Sequence, residues 1–136
     1  MLISTKGRYA LRMMTDLAEN GKDGPVSLSS IASRQEISLK YLERIMPVLT
    51  KAGLVIGASG KGGGYRLTRS PSEYSVGEIL RLTEGTLAPV ACLECETNTC
   101  PRHEKCRTLP VWTKLEARMN EYLDGITLTD IIEGRI

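Results

Sequence analysis

The chain has 136 residues, 41% hydrophobic and 25% charged, which excludes a disordered or collagen-like protein and fits one compact domain with a modest appendage. No run of about 18 apolar residues offers a membrane span, and Met1-Leu2-Ile3-Ser4-Thr5-Lys6 lacks the long apolar stretch of a secretory signal, so the expected location is the cytoplasm. The net charge of +2 hides an asymmetry: residues 1–70 carry 11 Lys and Arg against 5 Asp and Glu, whereas residues 71–136 carry 7 against 11. A basic half beside an acidic half points to nucleic acid as the partner of the first.

With no Phe and one Trp, the core must be built from Leu, Ile, Val, Met and Ala. Residues 7–20 read as a helix, because Ala10, Met13, Met14, Leu17 and Ala18 fall on one face. Gly21 to Pro25 stops it. Ser27 is placed to cap a short second helix that buries Leu28, Ile31 and Ala32. After the connection Gln35-Glu36-Ile37-Ser38, Ser38 caps a third helix, with Leu42, Ile45, Met46 and Leu49 inward and Lys40, Tyr41, Glu43 and Arg44 outward. Pro47 interrupts this pattern and predicts a kink or an early end.

Leu54-Val55-Ile56 begins a strand, residues 59–64 form a glycine-rich turn, and Tyr65-Arg66-Leu67-Thr68 returns as the partner strand. Ser75-x-x-Glu78 reads as a capping box opening a fourth helix that ends at Gly85. Residues 86–107 read as loop. A fifth helix follows over roughly 109–124, with Trp112, Leu115, Met119 and Tyr122 in a coiled-coil-like seam. Thr127 caps a last short helix ending near Gly134. The fold class is therefore mostly α with a small β-hairpin: a winged helix-turn-helix plus a long dimerisation helix. The expected divisions are a DNA-binding domain over 1–85, a cysteine loop over 86–107, and a pairing region over 108–136.

Two short helices joined by a tight turn and followed by a hairpin spell helix-turn-helix plus wing. Residues 38–46 would be the recognition helix, whose first residues reach base edges in the major groove. Ser38, Lys40 and Arg44 suit phosphate or base contacts, and Tyr41 suits sugar or phosphate. Glu43 is repelled by phosphates and gains only where it accepts from cytosine N4 or through a water, so it reads as a discriminator. Wing glycines such as Gly60 and Gly64 allow close backbone approach, with Lys61, Arg66 and Arg69 adding charge. Lys6 and Arg8 lie at the start of the first helix, where backbone donors favour phosphate. The blander alternative is a hairpin that merely covers its own core.

Cys92, Cys95, Cys100 and Cys106 follow the pattern Cys-x2-Cys-x4-Cys-x5-Cys within fifteen residues. In a reducing compartment such a group suits a metal better than disulfides. The spacing does not match the paired hairpins of a zinc ribbon, though a structural zinc stays open, and it suits a loop around an iron–sulfur cluster. His103, Glu94, Glu96 and Glu104 are further candidate ligands. His103 is the one histidine, and no nucleophile–base–orienter set is visible, so catalysis is not expected.

Ser4-Thr5-Lys6-Gly7-Arg8-Tyr9-Ala10, Ser38-Leu39-Lys40-Tyr41-Leu42-Glu43, Lys51-Ala52-Gly53-Leu54-Val55, Gly62-Gly63-Gly64-Tyr65 and Ile126-Thr127-Leu128 together resemble the winged-helix regulator family that contains IscR, NsrR and CymR. The resemblance covers nearly the whole chain. It implies a homodimer on a palindromic operator in double-stranded DNA, with a long helix crossing between subunits. It also implies a [2Fe–2S] cluster held by three loop cysteines and one other ligand. Carried over on that resemblance, Cys106 matches the last cysteine, Cys100 the middle one, and Cys92 the first, with Cys95 as its alternative. The branch resembling CymR lacks these cysteines.

Three departures stand out. Leu109 occupies the position of a ligating histidine in IscR-type members, Arg8 that of an N-terminal acid in NsrR-type members, and Ser59 that of a wing arginine. The fourth ligand is thus open between Cys95, His103, a loop glutamate and a residue of the other subunit. The leading expectation is a repressor that senses cluster status and controls iron–sulfur assembly genes. The alternatives are a nitric-oxide or redox-sensing repressor of the same family, and a small metal-binding or electron-transfer protein with no DNA role.

Overall fold

The computed structural model describes residues 2–136. In chain order the elements are α1 (Thr5–Asn20), α2 (Leu28–Gln35), α3 (Leu39–Lys51), β1 (Val55–Ala58), β2 (Gly64–Leu67), α4 (Val76–Glu84), α5 (Leu109–Asp124) and α6 (Leu128–Glu133). Short 3-10 turns lie at Pro71–Glu73, Ala91–Leu93 and His103–Lys105.

Most helix starts are fixed by one hydroxyl each. Ser4, Ser27, Ser38, Ser75 and Thr127 accept from the backbone N–H of Gly7, Ser30, Tyr41, Glu78 and Asp130 respectively. Each such cap stabilises by about 1 kcal/mol. Ser4 is the reason α1 begins two residues earlier than the apolar periodicity predicts. The expected capping box at Ser75 is half formed, because the Glu78 carboxylate turns to Arg69 at 2.6 Å. Full reciprocal boxes form at Ser70 with Glu73 and at Thr127 with Asp130.

Pro47 does not end α3, which runs on to Lys51. The carbonyl that Pro47 cannot serve belongs to Glu43, an exposed residue. The Thr50 hydroxyl donates to the carbonyls of Met46 and Pro47. Leu42, Ile45, Met46 and Leu49 are buried on both sides of the proline and hold the helix down.

One core gathers Met13, Met14 and Leu17 of α1, Ile31 of α2, the four α3 residues, Leu54, Val55, Ile79 and Leu128. Tyr74 is fully buried at its centre. Its hydroxyl donates to the Leu54 carbonyl at 2.8 Å and accepts from the backbone N–H of Thr68 and Arg69. That one phenol joins β1, the end of β2 and the entry to α4. The chain then returns: Val76 N–H donates to the Ile126 carbonyl, Leu128 N–H to Tyr74, and Leu128 is buried. Hence α6 is packed into the N-terminal body.

The hairpin pairs Val55 with Leu67, Ile56 with Arg66, Gly57 with Tyr65 and Ala58 with Gly64. Val26 flanks β2 as an isolated antiparallel bridge, exchanging two 2.8 Å hydrogen bonds with Tyr65.

The turn between α2 and α3 is clamped from α1. Asp16 is 1% exposed, yet it accepts from Arg34 Nε at 3.0 Å, Arg34 Nη2 at 2.6 Å and Gln35 Nε2 at 3.0 Å. The Arg12 guanidinium donates to the side-chain and backbone oxygens of Gln35. Glu36 then turns the chain through a left-handed conformation, φ 53°. Asp16→Ala would remove the acceptor of the half-buried Gln35 amide and release Arg34, so unfolding stability should fall by about 1–3 kcal/mol. A urea midpoint lowered at constant slope is the check.

Candidate nucleic-acid interface and cysteine loop

Ser38, Lys40, Glu43 and Arg44 are exposed on α3, and Ser38, Lys40, Tyr41 and Arg44 line a shallow depression of about 220 Å³. Tyr41 is half-buried rather than free, packed edge-on to Tyr9 with ring centroids 5.3 Å apart. The Arg12 guanidinium lies over the other ring of this pair, 5.3 Å from the Tyr9 centroid. Tyr41 is thereby tied to α1.

In the wing, Gly60 and Gly62 adopt φ 91° and 77° with open space where a side chain would project. Lys61 sits exposed between them. Gly64 answers a different demand: at φ 153°, a Cβ there would collide with the Val26 carbonyl. Its glycine is required by the close approach of Val26 in the bridge to Tyr65. Gly64→Ala should therefore cost about 2–4 kcal/mol and detach the wing. Gly60→Ala should cost about 1 kcal/mol, from backbone strain alone. Paired thermal melts distinguish the two.

Arg69, expected to add charge to the wing, is spent inside the fold. It pairs with Glu78, donates to the Glu73 carbonyl and stacks 4.3 Å from the Tyr74 ring centroid. Arg66 is exposed on the hairpin. At the start of α1, Lys6 is half-buried and Arg8 exposed. The anion site expected on the backbone there is already served by a carboxylate. Glu84 Oε1 accepts from Ser4 N at 3.0 Å and from Ser4 Oγ at 2.6 Å, while Ser4 Oγ accepts from Gly7 N.

The cysteine loop leaves α4 at Gly85 and is rooted by the buried Leu87 and Ala88. All four thiols are free; Cys92, Cys100 and Cys106 are half-buried and Cys95 is exposed. Cys100 N–H donates to Asn98 Oδ1 at 2.9 Å, and the Cys100 carbonyl meets His103 Nδ1 at 2.8 Å. The Cys106 thiol is held below its ordinary pKa, first by the Thr108 hydroxyl 3.4 Å away and its backbone, then by the Leu109 backbone and the Arg102 charge. Among the described residues, no three His, Cys, Asp or Glu side chains converge into a metal-ion group. The loop thus offers soft, reduced thiol donors of the type iron–sulfur clusters take, without a preassembled cage.

The family model described as "Rrf2: Iron-dependent Transcriptional regulator" matches residues 3–134. The chain belongs to the Rrf2 family. It is 39% identical to the HTH-type transcriptional regulator IscR of Aliivibrio salmonicida, over 97% of this chain and 77% of that one. It is also 39% identical to protein rrf2 of Nitratidesulfovibrio vulgaris, over 97% and 87%. Among solved structures it is similar to the global cysteine regulator CymR of B. subtilis, with TM-score 0.79, 36% identity and coverage of 96% and 95%. It is likewise similar to T. potens IscR, with TM-score 0.77, 39% identity and coverage of 100% and 89%. The protein is a DNA-binding transcriptional regulator of the Rrf2 family and not an enzyme. The winged-helix, mostly helical architecture expected from the sequence is the one observed. Among the described residues no helix is long and apolar enough to cross a membrane.

Backbone likeness to CymR and to IscR is nearly equal. The distinction within the Rrf2 family therefore rests on the cysteine loop. Sequence reading missed Tyr74, Glu84 and the Arg69–Glu78 pair. Tyr74 and Glu84 reach partners 20 and 80 positions away, Arg69 and Glu78 lie 9 apart, and only the polar residues flanking the apolar stripes hinted at them.

Proposed function

We propose that this Rrf2 protein is a homodimeric cytoplasmic repressor that carries a [2Fe–2S] cluster on Cys92, Cys100 and Cys106 and controls iron–sulfur assembly genes from palindromic operators. The observation that carries this reading is one chain holding an open recognition face on α3 and a loop of three half-buried free thiols leaving α4. Thiolates are the donors such clusters require, and the Thr108 contacts that lower the Cys106 pKa favour its thiolate form. When bound, the cluster supplies a centre whose presence tracks the supply of iron and sulfide. His103 and exposed Cys95 are the fourth-ligand candidates on this chain, and Arg8, a cation where an acid would be needed, counts against an NsrR-type ligand set.

In this reading residues 1–85 form the DNA-binding unit, 86–107 the cluster loop and 108–136 the region that includes the pairing helix. Ser38, Lys40 and Arg44 meet phosphate or base, and Glu43 discriminates at cytosine. Lys61 and Gly60 meet the backbone or minor groove, and Lys6 and Arg8 add charge at the edge. The dimer has states of different DNA affinity, and occupancy of the loop shifts between them.

The experiment is titration of anaerobically purified protein, with and without its cluster, on an operator selected from random duplexes. Affinity should fall by about 10³-fold or more between 50 and 200 mM salt, as expected when several phosphates are neutralised. At one class of site, at least a tenfold difference should separate the two forms. Equal affinity at every site would overturn the sensing role. Weak, salt-insensitive binding would overturn the operator reading and favour a metal-binding or electron-transfer protein.

A further inference from the structure

We infer that Leu39 reads the operator directly, by seating its side chain against the C5-methyl group of a thymine. The inference rests on the operator-binding reading above and adds a residue to it. Apolar residues of α3 recur at 39, 42, 46 and 49. Leu42, Met46 and Leu49 are sealed in the core, whereas Leu39 is 39% exposed. It is the first residue of the helix, directly after the Ser38 cap, and its neighbours Ser38 and Lys40 are exposed as well.

The other exposed large apolar residues are Leu2 near the N-terminus, Ile56 on the hairpin, and a group from Val111 onward on α5, α6 and the C-terminus. Leu39 belongs to none of these places. Nothing in helix formation asks for an apolar side chain there either, since the first turn favours acidic and polar residues.

A helix-turn-helix brings the first residues of its second helix to the base edges. In the major groove the thymine methyl is the apolar feature that distinguishes one base pair from another. Leu39 supplies the matching group. Lys40 and Arg44 supply positive charge beside it, and Glu43 supplies an acceptor one turn further on. Side chains four apart on a helix are neighbours about 5–6 Å apart, and stacked bases are separated by about 3.4 Å. The methyl read by Leu39 should therefore lie within about two base pairs of the cytosine read by Glu43.

The test replaces each thymine of a selected half-site in turn by deoxyuridine, which removes only the methyl. Binding of the full-length protein is then measured with Leu39, Leu39→Ala and Leu39→Met. At one position the wild type should lose about fourfold in affinity, the effect of one unburied methyl. Leu39→Ala should show no loss there, and Leu39→Met, which keeps an apolar reach, should retain it. Unchanged thermal unfolding of both variants would show that the fold is intact. If Leu39→Ala shows the same deoxyuridine profile as wild type, or if no thymine position is sensitive, the inference is wrong while operator binding stands. If wild type itself shows no salt-dependent, sequence-selective binding, both fall.

Discussion

Replacing Leu115 by glutamate is expected to convert a dimer into a monomer and to weaken operator binding by at least about 100-fold. Helix α5 has 16 residues and none of them is buried. Trp112, Leu115 and Tyr122 are exposed, and with Met119 they form one seam, while Val111 is exposed close by. A lone helix of this length is marginal in water, so something must cover that seam. Its fixed end is the last turn, where Arg81 donates to Asp124 at 2.6 Å and to Asn120 at 2.9 Å. The seam thus projects from an anchored base, where in the proposed dimer it would meet a second copy. In a two-fold interface each seam residue is used twice, and burying a leucine is favourable by about 1.5–3 kcal/mol. A carboxylate in its place adds a desolvation cost that no partner on the seam offsets. A monomer on one half-site then loses the effective concentration that couples two half-sites, typically 10²–10⁴-fold. Ala117→Glu, on the exposed face of α5 opposite the seam, should leave both properties nearly unchanged. Sedimentation equilibrium and operator titration read the two effects. A Leu115→Glu protein that remains a tight dimer would remove α5 as the pairing helix.

What could be read in the sequence was local. The apolar faces of α1 and α3, the caps Ser27, Ser38 and Thr127, and the hairpin flanking residues 59–64 depend on spacings of a few residues, and they fold as those spacings direct. What could not be read is held by long-range polar contacts. Ser4 and Glu84 meet across 80 positions. Tyr74 collects partners from Leu54, Thr68 and Arg69. Asp16 is buried because Arg34 and Gln35 reach back to it. In each case a polar side chain of ambiguous role is assigned by a partner that periodicity does not reveal. The same limit explains Ser75 and Glu78, whose motif is correct in sequence but loses half its bonds to Arg69. The cysteine loop was legible as a donor set and not as a geometry, because its conformation has no repeating pattern and is built from short 3-10 turns.

That division gives Cys100→Ala a sharp expected signature: loss of the cluster's visible absorption in anaerobically purified protein, with the unfolding midpoint of the cluster-free protein unchanged. Cys100 lies in the loop, outside both apolar clusters, so truncating it opens no core cavity. The stability of the body comes from the apolar clusters built by α1 to α4 and α6, and Cys100 belongs to neither. In the proposed site, cluster retention depends on thiolate donors, and removing Cys100 takes away one of its three assigned ligands. Cys95→Ala is the informative companion. Cys95 is the exposed member of the four, so its loss should leave the absorption in place if Cys92, Cys100 and Cys106 hold the cluster. If Cys95→Ala also bleaches the protein, the site is held by four cysteines. A four-thiolate site should then titrate at a lower reduction potential than one completed by His103, because imidazole in place of thiolate raises the potential. The spectra of the two variants therefore decide the ligand count, and the potential of the wild type decides the identity of the fourth donor.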